Sequence, residues 1–215
     1  MRRIFFILLA IVVISSAFTY FHFSEKEHLR MPVEKVNDLW NHAKPDSAKL
    51  QSGDLIFRHG RGAISNGLMA LNLREKKYSH VGIIHIENEK VFVYHAIGGE
   101  ENKTNKLRKD PVEVFCNPND IHSFAVYRLD LSEDQRKEED SLSRVYYKSG
   151  LEFDTKFDLS TNDKMYCTEF VYKIVSRITG NLNYISLSAF SGMKYIACDN
   201  LYLNSHSKFI YSYNY

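Results

Sequence analysis

The sequence predicts an α+β fold, and three observations carry that prediction. Short β-rich runs crowd between residues 55 and 131. Two segments with helix-boundary signals follow them instead of alternating with them. The strongest strand pair is a hairpin, which makes the sheet antiparallel.

The elements follow in order. Arg2 and Arg3 precede "IFFILLAIVVISSAFTYFHF", an uncharged and mostly apolar run of about twenty residues. The pattern fits a secretory signal peptide over residues 1–23, with Ser15 and Ala17 as the small residues ahead of cleavage. It equally fits an uncleaved anchor over Ile4 to Phe23, its arginines held on the cytoplasmic side. Either reading exports the remaining chain to the periplasm, the cell envelope or the medium. Residues 24–49 read as a linker or packing helix around "VEKVNDLWNHA", and residues 50–215 as the main domain.

Leu55–Arg58 reads as a strand, Gly60 and Gly62 as turns, and "AISNGLMALNL" as a helix. "HVGIIHI" and "KVFVYHA" form the hairpin across "ENE", with "VEVF" and "SFAVYRLDL" as further strands of the same sheet. A helix opens at Ser132, carries acidic residues in its first turns and ends at Gly150. In the last helix Val171, Ile174, Val175 and Ile178 repeat at helical spacing, and Gly180 closes it.

Composition excludes some functions. With 44% hydrophobic residues and 4 prolines, the 215-residue chain can bury a core and does not read as disordered. Without Arg2 and Arg3 the chain holds 26 basic and 26 acidic residues. No basic stripe stands out, so nucleic acid is not an expected partner.

Chemistry is expected at Cys167. A thiol at a helix N-terminus gains from the unpaired N–H groups of the first turn, which stabilise a thiolate and can hold an oxyanion. The competing reading is a buried structural cysteine, since free cysteine is among the most buried residue types. The hairpin supplies the bases. His80 opens its first strand and His95 lies near the end of its second. A connection of two or four residues puts both on one face, opposite or one diagonal step apart; three residues would need a bulge. His85 falls on the other face and reads as structural. Cys167 with two histidines could also form a three-ligand zinc site, but the short ligand spacings of zinc sites are missing, and no metal or other cofactor is expected. Asp54 reads as a turn residue more readily than as an orienter of histidine. Glu169 reads as structural and paired with a base, while Asp154 and Asp158 have no role that spacing assigns. Three cysteines leave at least one unpaired, so Cys116 and Cys198 are candidates for a disulfide that frees Cys167.

"SGDLIF", "YSHVGII", "VFVYHAIGG" and "FDLSTNDKMYCTEFVYKI", in that order, resemble the YiiX/YebB-like permuted papain-fold cysteine hydrolases. These are related to NlpC-type cell-wall peptidases and to lecithin retinol acyltransferase-like proteins. The resemblance covers about residues 50–200. It implies a circularly permuted papain-like fold, with an antiparallel sheet packed on the helix that carries the nucleophile. It matches Cys167 to the nucleophile, His80 to the base and His95 to a third polar residue that is often glutamate in this group. The implied activity is cleavage of an amide or ester through a thioester, on a cell-envelope peptide, a peptidoglycan fragment or a lipid amide. A thioester acyltransferase and a non-catalytic envelope binding module are the alternatives on the same fold.

Overall fold

A computed structural model describes residues 30–99 and 102–215. The expected signal or anchor segment, 1–23, lies outside the described residues. Among the described residues no helix is long and apolar enough to cross a membrane. The chain divides into two units, Met1–Asp38 and Leu39–Tyr215. Of the first, only residues 30–38 are described, including the start of helix α1 (Val33–Ala43).

The second unit is built on a six-stranded antiparallel sheet in the order β4-β3-β2-β1-β5-β8. Its strands are β1 (Leu55–Gly60), β2 (His80–Glu87), β3 (Lys90–His95), β4 (Arg108–Pro111), β5 (Ile121–Leu129) and β8 (Ser207–Asn214). The helices are α2 (Ala63–Ala70), α3 (Val112–Phe115), α4 (Glu133–Ser149), α5 (Cys167–Thr179) and α6 (Cys198–Tyr202), and β6 (Ser188–Phe190) and β7 (Met193–Tyr195) form a separate hairpin.

The central strands are apolar on both faces because both are covered. On one face Leu55, Phe57, Val81, Ile83 and Tyr127 pack with Phe170, Val171, Ile174 and Val175 of α5. On the other, Ile56, Ile84, Val93, Phe124 and Val126 pack with Phe115, Ala43 and Trp40. Each of these large side chains contributes about 1.5–3 kcal/mol by leaving water. The two layers decide which chemistry sits where.

Strand β2 passes to β3 with Glu87 opposite Lys90, so the connection is the two residues Asn88 and Glu89. Both have positive φ, 49° and 65°, as a type I′ turn requires. "VEVF" is not a strand. Pro111 precedes it, Val112 and Phe115 are buried three apart and Val114 is exposed, so the segment follows a helical period and forms the single turn α3. The aromatic C-terminal run becomes edge strand β8, where Tyr211 donates to the Ala43 carbonyl (3.0 Å) and Tyr215 to that of Cys116 (2.7 Å).

The expected pairing of Cys116 with Cys198 is absent. All three cysteines are free. Cys116 packs in the layer with Phe115 and Cys198 in the layer with α5, so the sheet stands between them.

Candidate active site

Helix α5 starts at Cys167 because its first turn is held by side chains. Glu169 accepts from the Tyr166 N–H (3.1 Å) and pairs with Lys173 (2.7 Å), which satisfies one orphan donor at the N-terminus. Tyr166 and Thr168 are fixed by Ile196: the tyrosine hydroxyl accepts its N–H (3.0 Å) and the threonine hydroxyl donates to its carbonyl (2.7 Å). Glu169 is thus the buried structural carboxylate the sequence suggests.

The Cys167 side chain is partly exposed. Its sulfur faces the N–H groups of Val81, Thr168 and Cys167 itself. Burial pushes the thiol up to about 11, and these N–H groups and the Arg58 charge oppose that without reversing it. The resting group is therefore a neutral thiol at neutral pH. The expected stabilised thiolate gives way to desolvation. Val81 follows His80 in the chain, so the N–H that faces the sulfur belongs to the residue next to the one that carries the imidazole.

His80 Nε2 lies 2.9 Å from His95 Nδ1, and His95 Nε2 lies 3.0 Å from Asp110 Oδ2. Strand register explains the chain. Tyr94 pairs with Ile83, which puts His95 opposite Gly82 and one diagonal step from His80. His95 pairs with Arg108 and Val93 with Asp110, so Asp110 is one diagonal step from His95 on the same face. Arg108 binds Asp110 through Nη2 (2.8 Å) and Nε (3.1 Å).

Asp110 fixes the tautomers. Although burial works against it, hydrogen bonds from His95 and Arg108 hold its carboxyl below the usual range, so it is ionised and only accepts. His95 therefore donates through Nε2–H, leaving Nδ1 to accept from His80 Nε2–H. His80 is left with a bare lone pair on Nδ1. Burial lowers both imidazoles, the Arg58 charge lowers both further, and they stay neutral. Arg58 is buried, is the register partner of His80, donates to the Phe115 carbonyl (3.2 Å) and stacks 4.8 Å from the Phe115 ring. That ring also meets His80 (5.6 Å) and His95 (5.0 Å).

Sequence reasoning missed Asp110, Arg108 and Arg58. A strand reading "RKDP" gives no β signal, and only its pairing with β3 reveals Asp110. The remaining candidates lie elsewhere. His85 is buried on the α5 face and bonds Asp140 (2.5 Å). Asp54 accepts from the Gln51 N–H (2.8 Å) and pairs with Arg128 (2.7 Å). Asp154 accepts from the N–H groups of Lys156 (2.8 Å) and Asp158 (2.6 Å), shaping the loop that places Phe157.

A cleft of about 240 Å³ opens beside Cys167, lined mainly by Leu68, Leu71, Phe157, Met193, Ile196 and Cys198. Its walls are almost wholly apolar. No group of three histidine, cysteine or acidic residues is placed to hold a metal ion among the described residues.

Three likenesses bear on this geometry. The chain is 26% identical over 132 residues to YiiX of Escherichia coli (strain K12), a protein described as uncharacterized, covering 60% of this chain and 59% of that one. The crystal structure of YiiX from Escherichia coli O157:H7, described as a metalloprotein, superposes with a TM-score of 0.63 at 18% identity. It covers 78% of this chain and 99% of its own. Residues 49–195 match the model of a family described as permuted papain-like amidase enzymes, YaeF/YiiX. That span holds α5, the hairpin and strand β4, and the chain belongs to this family of permuted papain-like amidases.

Proposed function

We propose that the protein is a cysteine hydrolase that cleaves an amide or ester through a thioester on Cys167. The observation that carries it is the proton relay from Asp110 through His95, which leaves His80 Nδ1 unprotonated next to the strand position that faces the sulfur. In the reaction, the Cys167 thiol gives its proton to His80 Nδ1 as sulfur attacks the carbonyl carbon. The N–H groups of Cys167, Thr168 and Val81 suit the oxygen that becomes negative. His80 returns the proton to the leaving nitrogen or oxygen. Water then attacks the thioester, giving its proton to His80, and the carboxylic acid leaves as the thiol re-forms.

The cleft favours an acyl group as the part of substrate held beside the sulfur. Drug-sized ligands occupy about 300–1,000 Å³ and rely on several polar groups. A space of about 240 Å³ with apolar walls suits a single aliphatic limb better than a peptide. We further propose export of the chain, on the strength of the apolar run at residues 4–23; fusion of that segment to a reporter active only outside the cytoplasm tests this.

The function is tested by incubation with a medium-chain N-acyl amide or acyl ester. Intact-mass and peptide spectra are expected to show the acyl mass on Cys167, with free fatty acid accumulating. Cys167→Ala removes both signals, and His80→Ala lowers turnover by about 10²–10⁴-fold. An acyl product that forms unchanged in Cys167→Ala overturns the proposal.

A further inference from the structure

The rim of the cleft carries apolar side chains that the core does not use. Helix α2 has no buried residue. Its Ile64 is 80% exposed and stands one turn before Leu68, which lines the cleft, and Leu71 follows on the same wall. The facing wall is the β6–β7 hairpin, a two-stranded unit separate from the main sheet. Its turn residues Ser191 and Gly192 have positive φ, 51° and 83°, so the turn is tight. Phe190 and Met193 face each other across it, 69% and 59% exposed. Tyr195 ties the hairpin to α2 by donating to the Leu71 carbonyl (3.0 Å). Ile64, Leu68, Leu71, Met193 and Phe190 thus form a continuous apolar lip that runs into the cleft beside Cys167.

Exposed charges around this lip are mostly positive. Lys76 and Lys77 follow α2, Lys194 lies on the hairpin and Lys156 lines the cleft, with Glu75 and Asp158 as the acidic residues among them. An apolar lip that would cost free energy in water, set in a basic surround, matches the boundary of an anionic bilayer, where apolar side chains enter below headgroups that attract lysine and arginine.

We propose that α2 and the β6–β7 hairpin dock on an anionic lipid bilayer and present the Cys167 cleft to acyl chains drawn from it. The proposal rests on the acyl-group reading of the cleft. Docking keeps the chain in apolar surroundings from bilayer to cleft, so it never crosses water. The lysines hold the surface by charge, which salt screens.

The test places a fluorophore at the hairpin tip. The full-length chain carries Trp40→Phe, to remove its one tryptophan, Phe190→Trp as the probe, and Cys167→Ala so that binding is read without turnover. Vesicles are equimolar phosphatidylglycerol and phosphatidylcholine with brominated acyl chains. The expected result is a blue shift and about twofold or greater quenching relative to unbrominated vesicles. A Val145→Trp probe on exposed α4, which does not line the cleft, is expected to stay unquenched. Lys76→Glu with Lys194→Glu is expected to reduce the quenching, as is phosphatidylcholine alone. Emission unchanged by vesicles overturns docking. So does emission already blue-shifted without vesicles, which means that another part of the chain or a second copy covers the lip. Acylation of Cys167 by a soluble short-chain ester is measured separately in the chain that retains Cys167. If it proceeds while the probe stays unquenched, docking fails and the hydrolase stands; if it fails while the probe is quenched, the reverse holds.

Discussion

Asp110 sits two hydrogen bonds from His80, the proposed base. Replacing it with asparagine keeps the shape but offers both a donor and an acceptor, so His95 and His80 lose their enforced tautomers. Asp110→Asn is expected to lower kcat by about 10²–10⁴-fold with little change in KM, because the residue never touches substrate. A KM effect alone, with kcat intact, would assign Asp110 to folding or binding. Cys167 gives a second prediction at this scale. With its thiol pushed up to about 11, alkylation by iodoacetamide at pH 7 is expected to be slower than that of free cysteine and to climb with pH through 9 without a plateau. A plateau below pH 7 would mean a thiolate–imidazolium pair instead. Sequence alone singles out Cys167, His80 and His95 as candidates through a helix start and strand parity, and the two-residue turn places the two histidines 2.9 Å apart. The resting charge of the sulfur was not legible, since desolvation depends on which side chains close over it.

Among the elements, β2 and β3 are where local sequence and site geometry meet. Gly82 opposes His95, and a Cβ there would lie 2.4 Å from Val93 Cγ1 and 3.1 Å from His95 Cβ. Gly82→Ala is therefore expected to destabilise the fold by about 1–3 kcal/mol through overpacking and to displace His95 from His80. Chemical denaturation with parallel activity assays checks this; loss of stability with full activity per folded molecule would detach the glycine from the relay. The hairpin was readable because apolar and β-branched residues dominate both strands. Strand β4 was not, because Arg108, Lys109 and Asp110 have no strand propensity and owe their conformation to β3. "VEVF" misled for the converse reason: it has strand composition, but Pro111 and the burial of residues three apart select a helical turn.

Across the whole molecule, three buried histidines set opposite pH slopes. His85 is pulled down by burial, but hydrogen bonds to Asp140 and Glu139 outweigh this and raise it to about 8. Its stabilisation is complete below the unfolded value of 6.5 and is lost as pH rises through about 8, a change of about 2 kcal/mol. His80 and His95 are lowered, so their unfolded forms take up protons first and stability falls as pH drops below 6.5. Thermal unfolding is expected to show maximal stability near pH 6.5, and His85→Gln to flatten the alkaline side. A monotonic profile would contradict both assignments. That the helix carrying Cys167 packs on an antiparallel sheet was legible through the resemblance; which face held the two histidines was not, until ring contact placed His80 against Phe115.

The proposed nucleophile and base belong to different layers of the sheet. Cys167 packs against the layer of α5, while the rings of His80 and His95 meet Phe115 of the other layer and Asp110 bonds His95 there. Catalysis is therefore a coincidence detector for folding. A chain with one core assembled holds a thiol without a base or a base without a thiol, and neither half can cut. Such a protein stays inert throughout its synthesis and becomes active only when both cores have closed.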